Sequence, residues 1–249
     1  MAPQSVGIIG MGAFGTLCRD LIHRFLPAVE IRTYSRNSSA HDLEKAAQAD
    51  VVLLCVPIAA YEDLLQTLVP LVRPETVIVD VATVKGYTMD LIKKWCKGRR
   101  FVSLHGMFGP ESYAKKGNEV TGLRIVVTGH TLAEEDYRAT RQWLSSLGFD
   151  VIEMTAHRHD KHLAETLFLT HLVGQVISRA GFARSEIDTV SFGYLMDAVE
   201  SVKHDTKLFQ DVYRFNPHCK KVLRAFEKAR NQTRKTLTPK KRSGHRTVR

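Results

Sequence analysis

The chain has 249 residues, of which 44% are apolar and 25% charged, so it can bury one or two cores and is not disordered throughout. Its net charge of +10 alone would suggest nucleic acid or an acidic membrane, but seven of those charges lie in residues 231–249, leaving +3 in residues 1–230. The basic tail has no aromatic residue except His245 for base stacking, so we do not expect nucleic-acid binding.

Targeting and metal-binding signals are absent from the sequence. The four cysteines, at positions 18, 55, 96 and 219, form no CxxC pair, so we expect reduced thiols and no metal site. No apolar run approaches the roughly 18 to 20 residues needed to span a bilayer, and the N-terminus lacks a secretion signal. We therefore expect a cytoplasmic protein without a membrane span.

Short apolar runs alternate with amphipathic stretches over residues 1–155. Seven strands are predicted, over residues 6–9, 29–34, 51–56, 77–81, 101–104, 123–127 and 149–152. The helical patterns between most of them, and the continuous Val/Ile/Leu composition of the runs, predict an α/β fold with a doubly wound, mainly parallel sheet.

The pattern changes near residue 156. Residues 156–230 contain no strand-like run and read as three long helices, over 157–181, about 187–203 and 206–230, with Asn216 and Pro217 a potential interruption of the last. We expect an all-helical C-terminal domain. Residues 231–249 have almost no large apolar residues, and we expect a disordered tail.

A glycine motif follows the first strand. Residues 6–15 read VGIIGMGAFG, a G-x-G-x-x-G between a strand and a helix. Gly10 would allow the tight turn, Gly12 would admit a pyrophosphate, and Gly15 would let helix and strand pack closely, as in Rossmann-type dinucleotide sites. The alternative is a tight turn without a ligand; the position directly after the first strand favours a dinucleotide.

The end of the second strand distinguishes the two dinucleotides. An Asp or Glu there would bind the ribose of NAD, but the segment is Thr33-Tyr34-Ser35-Arg36-Asn37. A hydroxyl followed by a guanidinium suits a 2′-phosphate, so we predict NADP, with NAD the less favoured cofactor; otherwise Arg36 is a solvated loop residue. The residues expected to contact the cofactor are Gly10, Gly12, Ala13, Phe14, Gly15, Ser35, Arg36, Val56, Pro57 and Thr83.

Three further segments carry chemistry-bearing residues. They are DVATVKG at the end of the fourth strand, HGMFGPES at the end of the fifth, and HDK followed by Thr170-His171 in the first long helix. Open α/β sheets bind ligands at the carboxyl ends of their strands, so Thr83 and His105 could both face the nicotinamide.

These segments together resemble the prephenate and arogenate dehydrogenases of tyrosine biosynthesis, from Val6 to about residue 230. Thr170-His171 and the segment DTKLF leading to RFN resemble the plant and cyanobacterial type. The resemblance implies oxidative decarboxylation of a cyclohexadienyl alcohol. It also implies that His105 accepts the hydroxyl proton, and that Thr83 hydrogen-bonds that histidine and reaches the nicotinamide. Thr83 could instead cap the following helix.

The resemblance also implies the substrate contacts. Ser112, His171 and Asp205 match substrate-binding positions, although Ser112 could simply terminate a loop and His171 could be a packing residue. A carboxylate at Asp205 would pair with the ammonium of arogenate and repel the keto acid of prephenate, so we favour arogenate, with prephenate as the alternative. Asp205 could also be a helix cap.

Some positions depart from the family pattern. Gly106 stands where proline is usual, and Leu167-Phe168 replace polar residues. The family implies a homodimer formed through the helical domain, acting on a small-molecule substrate. A rival interpretation is a β-hydroxyacid-type dehydrogenase with Lys161 as its helical lysine, which would not need the strand-end motif at His105.

Overall fold

A single seven-stranded sheet organises the protein, whose computed structural model describes residues 3–237. The strand order is β2-β1-β3-β4-β5-β6-β7, and every neighbouring pair is parallel except β5 and β6. The strands are β1 (Ser5–Ile9), β2 (Glu30–Tyr34), β3 (Val51–Leu54), β4 (Val77–Asp80), β5 (Arg100–Gly106), β6 (Arg124–His130) and β7 (Asp150–Glu153). The predicted mainly parallel sheet is confirmed.

Helices cover the sheet and form the C-terminal part. In residues 3–237 they are α1 (Ala13–Phe25), α2 (Ala40–Ala47), α3 (Tyr61–Leu68), α4 (Lys85–Trp95), α5 (Pro110–Lys115), α6 (Glu134–Ser146), α7 (Ala156–Leu163), α8 (Leu169–Arg179), α9 (Val190–Val202), α10 (Thr206–Phe215) and α11 (Cys219–Thr236). One π-helical turn, Ala164–Phe168, joins α7 to α8. None of these helices is both long and apolar enough to cross a membrane.

The central strands β1, β3 and β4 carry the most deeply buried apolar side chains of the sheet. Ile8, Ile9, Val52, Leu54 and Ile78 have no exposed surface, and each such side chain contributes about 1.5–3 kcal/mol through burial. The hydrophobic cluster that contains Ile9, Val52, Leu54 and Ile78 also includes residues of the helical part, namely Leu163, Ala164, Phe168, Val212 and Cys219. The helical part therefore shares its core with the sheet rather than packing separately.

The C-terminal helices show the predicted interruption at Asn216 and Pro217 and differ from the prediction in the tail. α10 and α11 are separate helices, because Asn216 is extended (φ −103°, ψ 106°) as expected before a proline, and Pro217 has no N–H to continue the helix. α11 also continues to Thr236, so the prediction of disorder from residue 231 is wrong for residues 231–236. Lysine, arginine and glutamine are good helix formers even without apolar neighbours. Residues 238–249 of the predicted tail lie outside the described residues.

The strand order also determines where ligands can bind. β1 neighbours β2 on one side and β3 on the other, so the chain reverses direction across the sheet at the β1/β3 boundary. Open α/β sheets bind their ligands outside the carboxyl ends of the strands at such a point. The carboxyl ends of β4 and β5 lie along the same edge, because both strands run parallel to β1.

Candidate active site

The glycine turn between β1 and α1 has the geometry of an anion-binding loop. Gly10 has a φ of +104°, and a Cβ there would lie 2.3 Å from the carbonyl oxygen of Cys55. A Cβ on Gly15 would lie 1.9 Å from the carbonyl oxygen of Gly10, whereas one on Gly12 would have no atom within 4 Å. α1 begins after Gly12 with no side-chain cap and no acid in its first turn. The turn therefore fits a dinucleotide, with free space at Gly12 and helical N–H groups for a pyrophosphate.

The loop after β2 presents a cation without a carboxylate. Arg36 is exposed and has no hydrogen bond or ion pair within residues 3–237. Ser35 Oγ lies 3.2 Å from Ser38 Oγ, and the backbone N–H of Ser35 donates to Ser38 Oγ at 3.1 Å. The next acid, Asp42, accepts hydrogen bonds from the backbone and side chain of Ser39 as part of the α2 cap. These contacts leave the Arg36 guanidinium available.

A buried ion pair stabilises the junction of β4, β5 and α4. Lys85 Nζ lies 2.8 Å from Asp80 Oδ2 and also donates to the carbonyl oxygen of Leu104 at 2.7 Å; both charged side chains are fully buried. Asp80 accepts further hydrogen bonds from Tyr61 Oη, the Ala82 N–H, Thr88 Oγ1 and Ser103 Oγ. Burial lowers the pKa of Lys85, and the attraction of Asp80 opposes that shift. Removing one partner of such a pair would cost about 3–5 kcal/mol.

His105 lies next to this pair, at the carboxyl end of β5. Its side chain is buried, with 6% of the residue exposed, and its Nδ1 lies 3.0 Å from His159 Nε2. His159 Nδ1 in turn lies 2.9 Å from Asp160 Oδ1. Burial lowers the pKa of His105 well below its ordinary value of 6.5, and the nearby His159 and Lys85 lower it further. The ring is therefore neutral at pH 7 and able to act as a base.

Thr83 lies in the loop between β4 and α4 and is half-buried. It lies, as predicted, at the carboxyl end of β4. No hydrogen bond joins Thr83 to His105 within the described part of the chain, where Nδ1 of His105 pairs with His159. The alternative role as a helix cap is wrong as well: Val84 is the N-cap of α4, which has no side-chain cap. The resemblance implies a hydrogen bond between Thr83 and His105. No sequence signal predicted that His105 pairs with His159.

The three predicted substrate contacts have different environments. Ser112 Oγ accepts the backbone N–H of Gly109 at 2.8 Å and donates to its carbonyl oxygen at 3.0 Å, so this hydroxyl caps α5. His171 is buried on α8, and its Nδ1 has no hydrogen-bond partner within residues 3–237. Burial lowers the pKa of His171, and the attraction of Asp205 opposes the shift. The structure therefore leaves His171 as a buried group with an unpartnered Nδ1, whereas Ser112 has a local structural role.

Asp205 is available as a charged group. It is the N-cap residue of α10, but its side chain makes no capping hydrogen bond. Arg214, the arginine of the RFN segment, is exposed, and its guanidinium lies 5.1 Å from the centroid of the Phe215 ring. Lys161, on which the rival β-hydroxyacid interpretation depends, is exposed on α7 rather than buried beside His105.

The sequence pattern includes His159 and Asp160 in its HDK segment but predicts no role for them. The adjacent His-Asp pair in the HDK segment was the available signal. The role of this pair depends on how α7 packs against the start of α4. There Asp160 accepts the N–H groups of Lys85 and Gly86 at 2.9 and 2.8 Å.

Comparisons with known proteins find similarity to prephenate and arogenate dehydrogenases. Residues 29–124 match the family described as prephenate dehydrogenase, nucleotide-binding domain. The chain is 28% identical over 255 residues to arogenate dehydrogenase 1, chloroplastic, of Arabidopsis thaliana. The matched region covers 94% of this chain and 40% of that protein. It therefore spans less than half the length of that relative.

Two solved structures share the fold. Prephenate dehydrogenase from A. aeolicus, in complex with hydroxyphenyl propionate and NAD+, is 19% identical with a TM-score of 0.73, covering 95% of this chain and 91% of that one. Synechocystis arogenate dehydrogenase is 21% identical with a TM-score of 0.66, covering 94% of this chain and 91% of that one. In both, the likeness covers the sheet and the helical part together.

Proposed function

Because the chain belongs to the prephenate and arogenate dehydrogenase family of tyrosine biosynthesis, we propose that it converts arogenate to tyrosine by NADP-dependent oxidative decarboxylation. The observation that carries the proposal is a buried histidine, His105, at the carboxyl end of β5, on the same side of the sheet as the dinucleotide turn; its burial lowers its pKa. A neutral imidazole in this position can take the proton of an alcohol that is being oxidised.

The proposed role of His105 is to hold one proton during the reaction. A bound NADP supplies the acceptor for the hydride from ring carbon 4. As that hydride leaves, His105 accepts the proton of the hydroxyl on the same carbon. The bond from carbon 1 to its carboxylate then breaks, carbon dioxide leaves, and the electron pair completes the aromatic ring. His105 returns its proton to the phenolate oxygen, so the step consumes no external acid.

We propose NADP as the cofactor because of the loop after β2. Arg36 has no partner within residues 3–237, and the next acid along the chain, Asp42, is occupied in a helix cap. Ser35, the glycine turn, and the residues after β3 and β4, namely Val56, Pro57 and Thr83, complete the proposed cofactor site along the same edge.

We propose arogenate rather than prephenate because Asp205 is an exposed carboxylate without a capping hydrogen bond, and its charge opposes the lowering of the pKa of the buried His171. The full chain should therefore show a higher kcat/KM with arogenate than with prephenate, measured side by side. Asp205→Asn should lower the ratio of kcat/KM for arogenate to kcat/KM for prephenate by about three- to tenfold. The contact between the carboxylate and the substrate ammonium is charge-assisted, but the carboxylate is exposed to water.

The control for this experiment is Glu227→Gln, which removes another exposed acid of the helical part, on α11. It should leave the ratio unchanged. Equal or better turnover of prephenate by the unmodified chain would replace the proposed substrate with prephenate, and turnover of neither would reject the function.

We also propose that a second copy of the chain covers an apolar face on α8, α9 and the loop between them. Val176, Phe182, Ile187, Val190 and Tyr194 are 52–84% exposed there. Light scattering should give the mass of two chains, and Tyr194→Glu should shift the mass toward one chain. A single-chain mass for the unmodified protein would contradict the dimer.

A further inference from the structure

A chain of hydrogen bonds leads from His105 into helix α7. His105 Nδ1 lies 3.0 Å from His159 Nε2, and His159 Nδ1 lies 2.9 Å from Asp160 Oδ1. The three residues are 6%, 3% and 2% exposed. Water therefore has little access to these three side chains, and protein groups alone determine their hydrogen bonds.

The Asp160 carboxylate is anchored by groups that can only donate hydrogen bonds. Its Oδ1 accepts the backbone N–H of Lys85 at 2.9 Å, and its Oδ2 accepts that of Gly86 at 2.8 Å. A Cβ on Gly86 would lie 2.9 Å from Oδ2, so the glycine makes room for the carboxylate. These N–H groups belong to the first turn of α4, whose dipole favours a negative charge. Both carboxylate oxygens are therefore acceptors.

This anchoring determines which nitrogen of each ring carries a proton. Because Asp160 only accepts, His159 must donate from Nδ1, and in its neutral form Nε2 then has a lone pair. His105 must donate from Nδ1 to that lone pair. The Nε2 of His105 is therefore unprotonated and free to accept a proton.

We propose that His159 and Asp160 are positioning residues that hold His105 in the tautomer with its N–H on Nδ1 and its lone pair on Nε2. The inference rests on the proposed function, since it concerns the step in which His105 takes the hydroxyl proton. When Nε2 is protonated, the Nδ1–H of His105 remains bonded to His159, and the Asp160 charge stabilises the resulting cation. The other charged group facing His105 is Lys85, which is paired with Asp80.

Asp160→Asn is the direct test. An amide whose oxygen takes the Oδ2 position accepts the Gly86 N–H and presents its NH₂ to His159, which reverses both tautomers and places the N–H of His105 on Nε2. We expect kcat to fall by about 100-fold or more, with KM values changed by less than about threefold. Loss of the Asp160 charge should also move the acid limb of the kcat/KM profile to lower pH.

Substitutions at His159 separate positioning from packing. His159→Gln keeps a carbonyl oxygen that can accept the Nδ1–H of His105, whereas His159→Leu does not. The Gln variant should retain at least about tenfold more kcat than the Leu variant. Because Asp160 acts through His159, adding Asp160→Asn to His159→Leu should change kcat by less than about threefold.

A spectroscopic measurement tests the tautomers without any turnover. Imidazole ¹⁵N shifts of the full chain should show His105 protonated on Nδ1, and on Nε2 in Asp160→Asn. Asn216→Ala is the matched control, because the Asn216 side chain donates to the Asp160 carbonyl oxygen at 2.8 Å and supports the same junction. It should lower the unfolding temperature and leave the Nδ1–H tautomer in place.

The outcomes distinguish this inference from the proposed function. Suppose that the tautomer of His105 reverses in Asp160→Asn but the protein oxidises neither substrate. This result would support the proposed hydrogen bonds and reject the proposed function. Turnover of arogenate or prephenate, combined with an Asp160→Asn variant of unchanged kcat, acid limb and tautomer, would overturn the positioning role and keep the function.

Discussion

His105→Asn should lower kcat by about 10²- to 10⁴-fold, the range that a positioned general base contributes. Asparagine can still hydrogen-bond His159 and has nearly the same reach, so the polar network beside it should persist. It cannot take a proton from the substrate hydroxyl. The KM for the cofactor should therefore change little, and the loss should appear in kcat measured by cofactor reduction.

The pH dependence provides a second measurement on the same residue. Burial, His159 and Lys85 hold the pKa of His105 well below 6.5. A base is active when unprotonated, so kcat/KM should be flat near pH 7 and fall only as the pH drops below 6.5. The residual activity of His105→Asn should lack this acid limb.

The matched control is His162→Asn, which removes an exposed histidine on α7. Its kcat and pH profile should equal those of the unmodified chain. A His105→Asn variant that kept kcat within about tenfold, with its acid limb intact, would assign the base to another group.

Arg36→Ala should lower kcat/KM for NADP by about 10- to 100-fold and change kcat/KM for NAD by less than about twofold. A hydrogen bond to a charged group contributes about 1.5–3 kcal/mol, and the 2′-phosphate is the only feature of NADP that NAD lacks. The guanidinium is exposed and has no partner within residues 3–237, so it can close on a phosphate without breaking an existing contact.

Arg32 offers a control on β2, the strand that precedes Arg36. Its guanidinium bonds both carboxylate oxygens of Glu30, at 2.9 and 2.7 Å, and the carbonyl oxygen of Lys45. Arg32→Ala should therefore leave the ratio of NADP to NAD activity unchanged. Equal use of the two cofactors by the unmodified chain, with no effect of Arg36→Ala, would reject the cofactor assignment.

Local sequence signals predicted most of the fold. All seven strands lie where the apolar runs predict them, because burial on both faces of a parallel sheet leaves a composition that can be read without knowing the neighbours. The glycine turn was equally predictable, since Gly10 and Gly15 satisfy constraints within the β1–α1 unit and the adjacent β3 end. The extent of α11 was not, because low apolar content does not exclude a helix of good helix formers.

The sequence by itself determined the sheet, the dinucleotide turn, and His105 as the residue at the end of β5. Only the tertiary structure decided what His105 contacts: His159, 54 positions away, rather than Thr83. That contact requires α7 to pack at the start of α4, where Asp160 meets backbone N–H groups about 75 positions earlier in the chain. Periodicity and motif spacing report local constraints, whereas a hydrogen bond between distant residues depends on how whole elements pack.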